Sequence, residues 1–257
     1  MDEFTRTFLA YKTVNMYALV ILLGAVVGVA NSHSFEWGSC KKVNPVANFQ
    51  AGQFTGKWYV IEIFSTTSDC MTMYFNLTDD GSFKVTETRE FHPLEAIGLD
   101  HRFSNVGTLK KVDGWEPGRY KVTWPGDSDF FGSFGSREGI ILDTDYTKAA
   151  VLMECQNFSL FKRISVVILS RTESLDSSTV TQIKKDLEEL GYDVDDFDKI
   201  DHSTCSSAPD FDVGLDEDGT FSLDGTPLNI PAIPNVGELP ADVIPDINEV
   251  LTSRKRR

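Results

Sequence analysis

Between Trp58 and Arg171 the chain runs through short stretches of alternating apolar and polar residues, several of them ending in a turn signal. The stretches "WYVIEIF", "SDCMTMYFNL", "SFKVTETREF", "RFSNVGTLKKV", "GRYKVTW", "EGIILDTDY", "AAVLMEC" and "LFKRISVVILSR" follow one another, with Asp79-Asp80-Gly81 and Asp113-Gly114 among the breaks. Side chains alternate between faces along a strand, so one apolar register in two marks a sheet with a buried face. Phe83 and Val85, and Ile164, Val166 and Ile168, sit in such registers and are expected to point inward. No helical period separates the stretches, which predicts an antiparallel sandwich or barrel.

The period changes after Arg171. Leu175-Asp176-Ser177-Ser178 offers cap residues, Val180, Ile183, Leu187 and Leu190 recur at helical spacing, and Gly191 is placed to end the helix. Its apolar stripe is expected to pack on the outside of the sheet, with Lys184, Lys185, Glu188 and Glu189 in water. A short strand near Phe197 leads to Cys205. Beyond it, residues 206–257 are rich in Pro, Gly and Asp and lack convincing periodicity, which predicts a disordered acidic tail outside the fold. "DEDGTFSLD" resembles a calcium loop only faintly, since Gly214 and Gly225 stand at the first and last ligand positions.

At the other end, Met16 to Ala30 is an uninterrupted apolar run behind Arg6 and Lys12, too short for the roughly 20 residues of a membrane-spanning helix. With Gly28 and Ala30 as a small-x-small site, residues 1–30 read as a signal peptide and 31–205 as the folded domain. The chain is therefore expected to be secreted and extracellular. Four cysteines follow, Cys40, Cys70, Cys155 and Cys205, an even number that permits two disulfides in three pairings. No CxxC pair is present, so no zinc or other metal site is expected. Asn76 and Asn157 head glycosylation sequons, which agrees with secretion. The net charge of −15 argues against nucleic acid as a partner.

Three separated motifs carry a family resemblance. Gly56-x-Trp58 opens the first strand, Asp143-Thr144-Asp145-Tyr146 lies between two apolar runs, and Arg171 ends the last strand before the helix. In this order the chain resembles the lipocalins, of the apolipoprotein D and insect bilin-binding type. The resemblance implies an all-β fold, an eight-stranded antiparallel up-and-down barrel with one C-terminal α-helix packed outside. It implies that Trp58 lies across the closed end beneath Arg171, and that Gly56, Thr144, Asp145 and Tyr146 are structural. It implies Cys40 paired with Cys155 and Cys70 with Cys205.

The function so implied is carriage of a small hydrophobic ligand, a bilin, retinoid, carotenoid, fatty acid or sterol-like molecule, with no bound cofactor and no enzymatic activity. Met73, Tyr74, Phe75, Phe91, Trp124, Phe131 and Phe134 are the candidate pocket residues, and the Phe130–Phe134 loop could also meet a lipid or lipoprotein surface. Two alternatives are a prostaglandin-synthase-like isomerase, which needs a free barrel cysteine, and a haem carrier, which needs an axial ligand such as His92 or His101. On this reading the barrel is the whole functional unit, and removal of residues 206–257 should leave binding intact.

Overall fold

The computed structural model describes residues 34–66, 68–91, 101–125, 136–207, 209 and 211–227. The expected signal peptide, His92, the Phe130–Phe134 loop with Phe131 and Phe134, and residues 228–257 lie outside them. Eight strands form a closed antiparallel barrel: β2 (Gly56–Phe64), β3 (Ser68–Leu77), β4 (Phe83–Phe91), β5 (His101–Lys111), β6 (Arg119–Thr123), β7 (Arg137–Thr144), β8 (Ala149–Phe158) and β9 (Phe161–Ser170). Each pairs with the next, and β9 returns to β2 to close the ring. These are the eight alternating stretches of the sequence.

Period two sorts the side chains into two compartments. Trp58, Val60, Met73, Phe75, Phe83, Val85, Leu109, Tyr120, Val122, Leu152, Val167 and Leu169 form one cluster inside the barrel. A second cluster lies outside it, where Ile61, Phe64, Val151, Met153, Ile164, Val166 and Ile168 meet Ile183 and Leu187 of the helix α2 (Ser177–Glu189). This corrects one expectation: Ile164, Val166 and Ile168 face the helix, not the interior. A strand covered on both faces carries apolar residues in both registers, and alternation alone does not say which register is inside. Asp176 caps α2 by accepting from the Thr179 N–H, and Gly191 follows its last turn at φ +76°, a conformation that suits glycine.

Both disulfides, Cys40–Cys155 and Cys70–Cys205, are formed. The first fastens the segment before β2 to the outer face of β8. The second holds the chain after β10 (Phe197–Lys199), itself paired with β2, against the start of β3.

Two seams in the barrel wall are filled by strands from outside the eight. β2 pairs with β9 only at Val167–Ser170, and β1 (Ser34–Trp37) takes the neighbouring stretch Phe161–Ile164. β6 pairs with β5 only at Thr108–Lys111, and β11 (Phe211–Leu215) runs parallel to the stretch His101–Asn105. β11 continues through β12 (Phe221–Leu223) to β13 (Thr226–Pro227). The expectation of a structureless tail from residue 206 is thus corrected for residues 211–227. Phe211, Val213 and Leu215 alternate with Asp212 and Gly214, a strand pattern five residues long. The acidic composition around Asp216–Gly219 belongs to a hairpin turn, in which the Gly219 N–H bonds the Asp216 carbonyl.

Candidate functional site: the barrel interior and its open end

The closed end is built around Trp58. A short helix, α1 (Ala51–Phe54), leads into Gly56, whose φ of +93° turns the chain into β2. The turn leaves Trp58 fully buried, its indole N–H donating to the Phe54 carbonyl at 2.9 Å. Arg171 covers the ring, with the guanidinium carbon 3.7 Å from the ring centroid. The same guanidinium donates to the carbonyls of Lys57 (2.9 Å), Gln53 (3.2 Å) and Tyr146 (3.0 Å), so it ties three segments together. Asp145 closes the adjoining turn by accepting from the backbone N–H groups of Thr147, Lys148 and Ala149. Burial alone would raise its carboxyl, but those three donors and the Lys148 charge hold it below the usual carboxylate range. Thr144 accepts from the Tyr146 N–H and donates to the Ala149 carbonyl. These are structural roles.

Above this end the interior is an apolar plug. The rings of Phe54, Phe75 and Phe83 pack edge to face at 4.9–6.2 Å, and Tyr120 adjoins Phe83 at 5.4 Å. Burial pushes the Tyr120 phenol up to about 12, so it stays neutral among them.

The inward register then changes character. On β4 it reads Phe83, Val85, Glu87, Arg89; on β8, Ala150, Leu152, Glu154, Gln156. Glu87 and Arg89 form one buried ion pair. Arg137 of β7 and Glu154 form a second at 3.5 Å, both nearly fully buried. Trp124 joins this pair, its indole N–H lying 3.1 Å from each Glu154 carboxylate oxygen. Its ring rests on the β5 backbone at Gly107, where a Cβ would come within 2.4 Å of it. Trp124 therefore reaches across the interior from β5 to β8, and Asn105 adds a further buried polar group. A desolvated ion pair contributes little net stability over apolar packing of the same volume.

At the open end stands an aromatic rim. Phe158 and Phe161 stack at 5.4 Å, and Phe35 of β1 meets them at 6.2 and 6.1 Å. Phe35, Trp37, Leu160 and Phe161 are substantially exposed, Trp37 at 83%.

Of the candidate pocket residues, Met73 and Trp124 face the interior. Phe75 does too, but within the plug at the closed end. Phe91 is half-buried at the last position of β4, and Tyr74 points outward, 53% exposed, between the inward Met73 and Phe75. The two acceptor asparagines, Asn76 and Asn157, are both exposed. The candidate residues do not include the ion-pair layer or the rim. Glu87, Arg89 and Glu154 continue an apolar period of two with charges, which was the signal available for them. Phe35 and Trp37 precede the first motif and carry no comparable signal.

The isomerase alternative, and the haem alternative as far as His101 would carry it, fare poorly against this geometry. All four cysteines are in disulfides, which leaves no thiolate for an isomerase. His101 accepts the Phe91 backbone N–H at Nε2, so that lone pair is already engaged and not offered to a haem iron.

No protein-family model matches the chain. It is 27% identical over 202 residues to apolipoprotein D of Cavia porcellus, a match covering 76% of this chain and 98% of the relative. With apolipoprotein D of Macaca fascicularis it shares 28% over 199 residues, 74% of this chain and 98% of the relative. About a quarter of this chain therefore lies outside either match. Among solved structures, insecticyanin from the tobacco hornworm Manduca sexta superposes with a TM-score of 0.55 at 20% identity, over 70% of this chain and 95% of that one. Lobster apocrustacyanin A1 does so with 0.53 at 17%, over 66% and 92%.

Proposed function

We propose that this chain, which has the lipocalin fold and resembles apolipoprotein D in sequence, is a secreted carrier of a small, largely apolar molecule. The observation that carries this reading is the gradient along the barrel interior. A packed aromatic plug closes one end, buried ion pairs line the middle, and exposed aromatics of β1 and the β8–β9 hairpin stand at one side of the other end. The plug leaves the mouthward half as the compartment, with Met71, Met73 and Phe103 as its apolar wall.

The ion-pair layer narrows the ligand class. Glu87 with Arg89, and Arg137 with Glu154, balance one another in charge. A ligand carboxylate pressed into that layer would meet Glu87 and Glu154 and compete with them for arginines they already engage, which is costly. A hydroxyl or carbonyl would gain charge-assisted hydrogen bonds without that cost. The favoured ligand is therefore a neutral amphiphile, retinol-like or sterol-like, rather than a fatty acid. Titration of intrinsic tryptophan fluorescence with all-trans-retinol, cholesterol and retinoic acid tests this. Retinol should bind at least about tenfold more tightly than retinoic acid; equal affinity would remove the neutral-ligand reading, and no binding by any of the three would count against the carrier.

A lipid or lipoprotein surface as a second partner is supported by the rim. Trp37, Phe35 and Leu160 are exposed where a ligand would enter, and aromatic side chains of this kind sit well at a membrane interface. The chain should co-float with phosphatidylcholine vesicles, and Trp37→Ser should cut the bound fraction several-fold. Absence of the wild-type chain from the vesicle fraction would end this reading.

A further inference from the structure

The wall of the ligand compartment has a component that lies beyond the eight barrel strands. β5 is eleven residues long, yet β6 covers only Thr108–Lys111. His101–Asn105 would otherwise present an open strand edge in the mouthward half, where the compartment lies. β11 occupies that edge in parallel register, with Phe211 opposite His101, Val213 opposite Phe103 and Leu215 opposite Asn105.

The face that β11 presents follows from its ring contacts. His101, Phe103 and Asn105 share the inward register of β5 and are buried. The Phe211 ring stacks on His101 at 5.8 Å and meets Phe103 edge-on at 6.4 Å, so Phe211 lies on that inward face. Val213 and Leu215, two and four residues on, share it. The other face carries charge at Asp212, which lies 3.6 Å from Arg102 and accepts from the Ser104 hydroxyl at 3.5 Å; in the turn after β11, Glu217 lies 3.4 Å from Lys84.

The strand is also delivered to its place. The Cys70–Cys205 disulfide fixes the chain at the start of β3. The Ser206 N–H then donates to Glu90 of β4 at 2.9 Å, and its carbonyl accepts from Arg102 of β5. The chain thus crosses the mouth edge of β3 and β4 before turning down beside β5.

We infer that β11 is a ninth wall strand of the ligand compartment, and that Phe211 and Val213 contact the bound molecule and restrain its exit. This rests on the carrier reading above and reverses the expectation that truncation after the barrel is silent. Three proteins test it: the full-length chain, a chain ending at Ser207, and the full-length chain carrying Phe211→Ser and Val213→Ser. Each is titrated with all-trans-retinol by tryptophan quenching, and release is followed by stopped-flow dilution. Retention of both disulfides and of the near-ultraviolet circular dichroism shows which variants remain folded.

Truncation and the double substitution should each weaken retinol binding about tenfold, with most of the change in the release rate. Release from the full-length chain should accelerate at high salt, because Arg102–Asp212 and Lys84–Glu217 are exposed enough to be screened. The truncated chain should lack that dependence. If truncation unfolds the barrel, the double substitution decides alone. Changes below threefold in the folded variants would overturn the ninth strand while leaving the carrier intact. Failure of the full-length chain to bind retinol or cholesterol would instead remove the carrier reading, and this inference with it.

Discussion

Arg137→Met should lower the free energy of unfolding by about 3–5 kcal/mol, the range for removing one partner of a buried ion pair. The substitution approximates the side-chain volume, so the loss arises from charge rather than from a cavity. Arg137 and Glu154 are both about 95% buried and 3.5 Å apart. Without the guanidinium, Glu154 keeps the Trp124 indole N–H but loses the Arg137 charge. Adding Glu154→Leu should restore most of the stability, because it removes the carboxylate together with its desolvation cost. Urea unfolding of the wild type, both single variants and the double variant gives the coupling directly. Additive effects, with a coupling below about 0.5 kcal/mol, would show that the contact is energetically idle. If the layer exists to hold a polar ligand group, the stable double variant should also lose its preference for retinol over retinoic acid. A protein that is more stable without its ion pair, but less selective, would place that pair in the function of the barrel.

The legibility of this chain follows from which forces leave a local trace. The barrel was legible because eight strands with turns between them repeat a period of two, and the resemblance of three motifs named how they close. The closed end was legible for the same reason: Trp58, Asp145 and Arg171 make contacts that demand particular residue types. The mouthward half was not. Tyr74 reads as a pocket residue because an aromatic beside Met73 and Phe75 looks alike in either register, and only the pairing of β3 with β4 sets its face. Ile164, Val166 and Ile168 read as inward because the helix that covers them comes later in the chain. The strand at Phe211–Leu215 was hidden by its neighbours, since Asp216, Glu217 and Asp218 make the window read as acidic coil. Its partner, the uncovered half of β5, exists only because β6 is short, and a long-range vacancy of that kind has no signature in the tail itself.

Trp58→Ala should cost about 4–5 kcal/mol, at the upper end for deletion of a buried aromatic ring. The ring is completely buried, 5.0 Å from the Phe54 ring on one side and 3.7 Å beneath the Arg171 guanidinium on the other. Its removal opens a cavity at the closed end, leaves the Phe54 carbonyl without its donor, and takes the π-face from under Arg171. Trp58→Phe separates these effects. It keeps most of the packing and a face for the cation, loses the N–H, and should cost about 1–3 kcal/mol. Arg171→Lys gives the complementary loss, since a single ammonium cannot reach the carbonyls of Lys57, Gln53 and Tyr146 together. Because Met73 stands between Trp58 and Glu87 across β3 and phenylalanine keeps most of the ring packing, retinol affinity measured well below the melting temperature should change by less than threefold in the Phe variant. Unfolding free energies from urea, set beside retinol affinities, check both halves of the expectation. A Trp58→Ala protein that loses less than about 1 kcal/mol would mean that the closed end is held by its backbone turns alone. A Trp58→Phe protein that stays folded but no longer binds would mean that the compartment extends down to the plug.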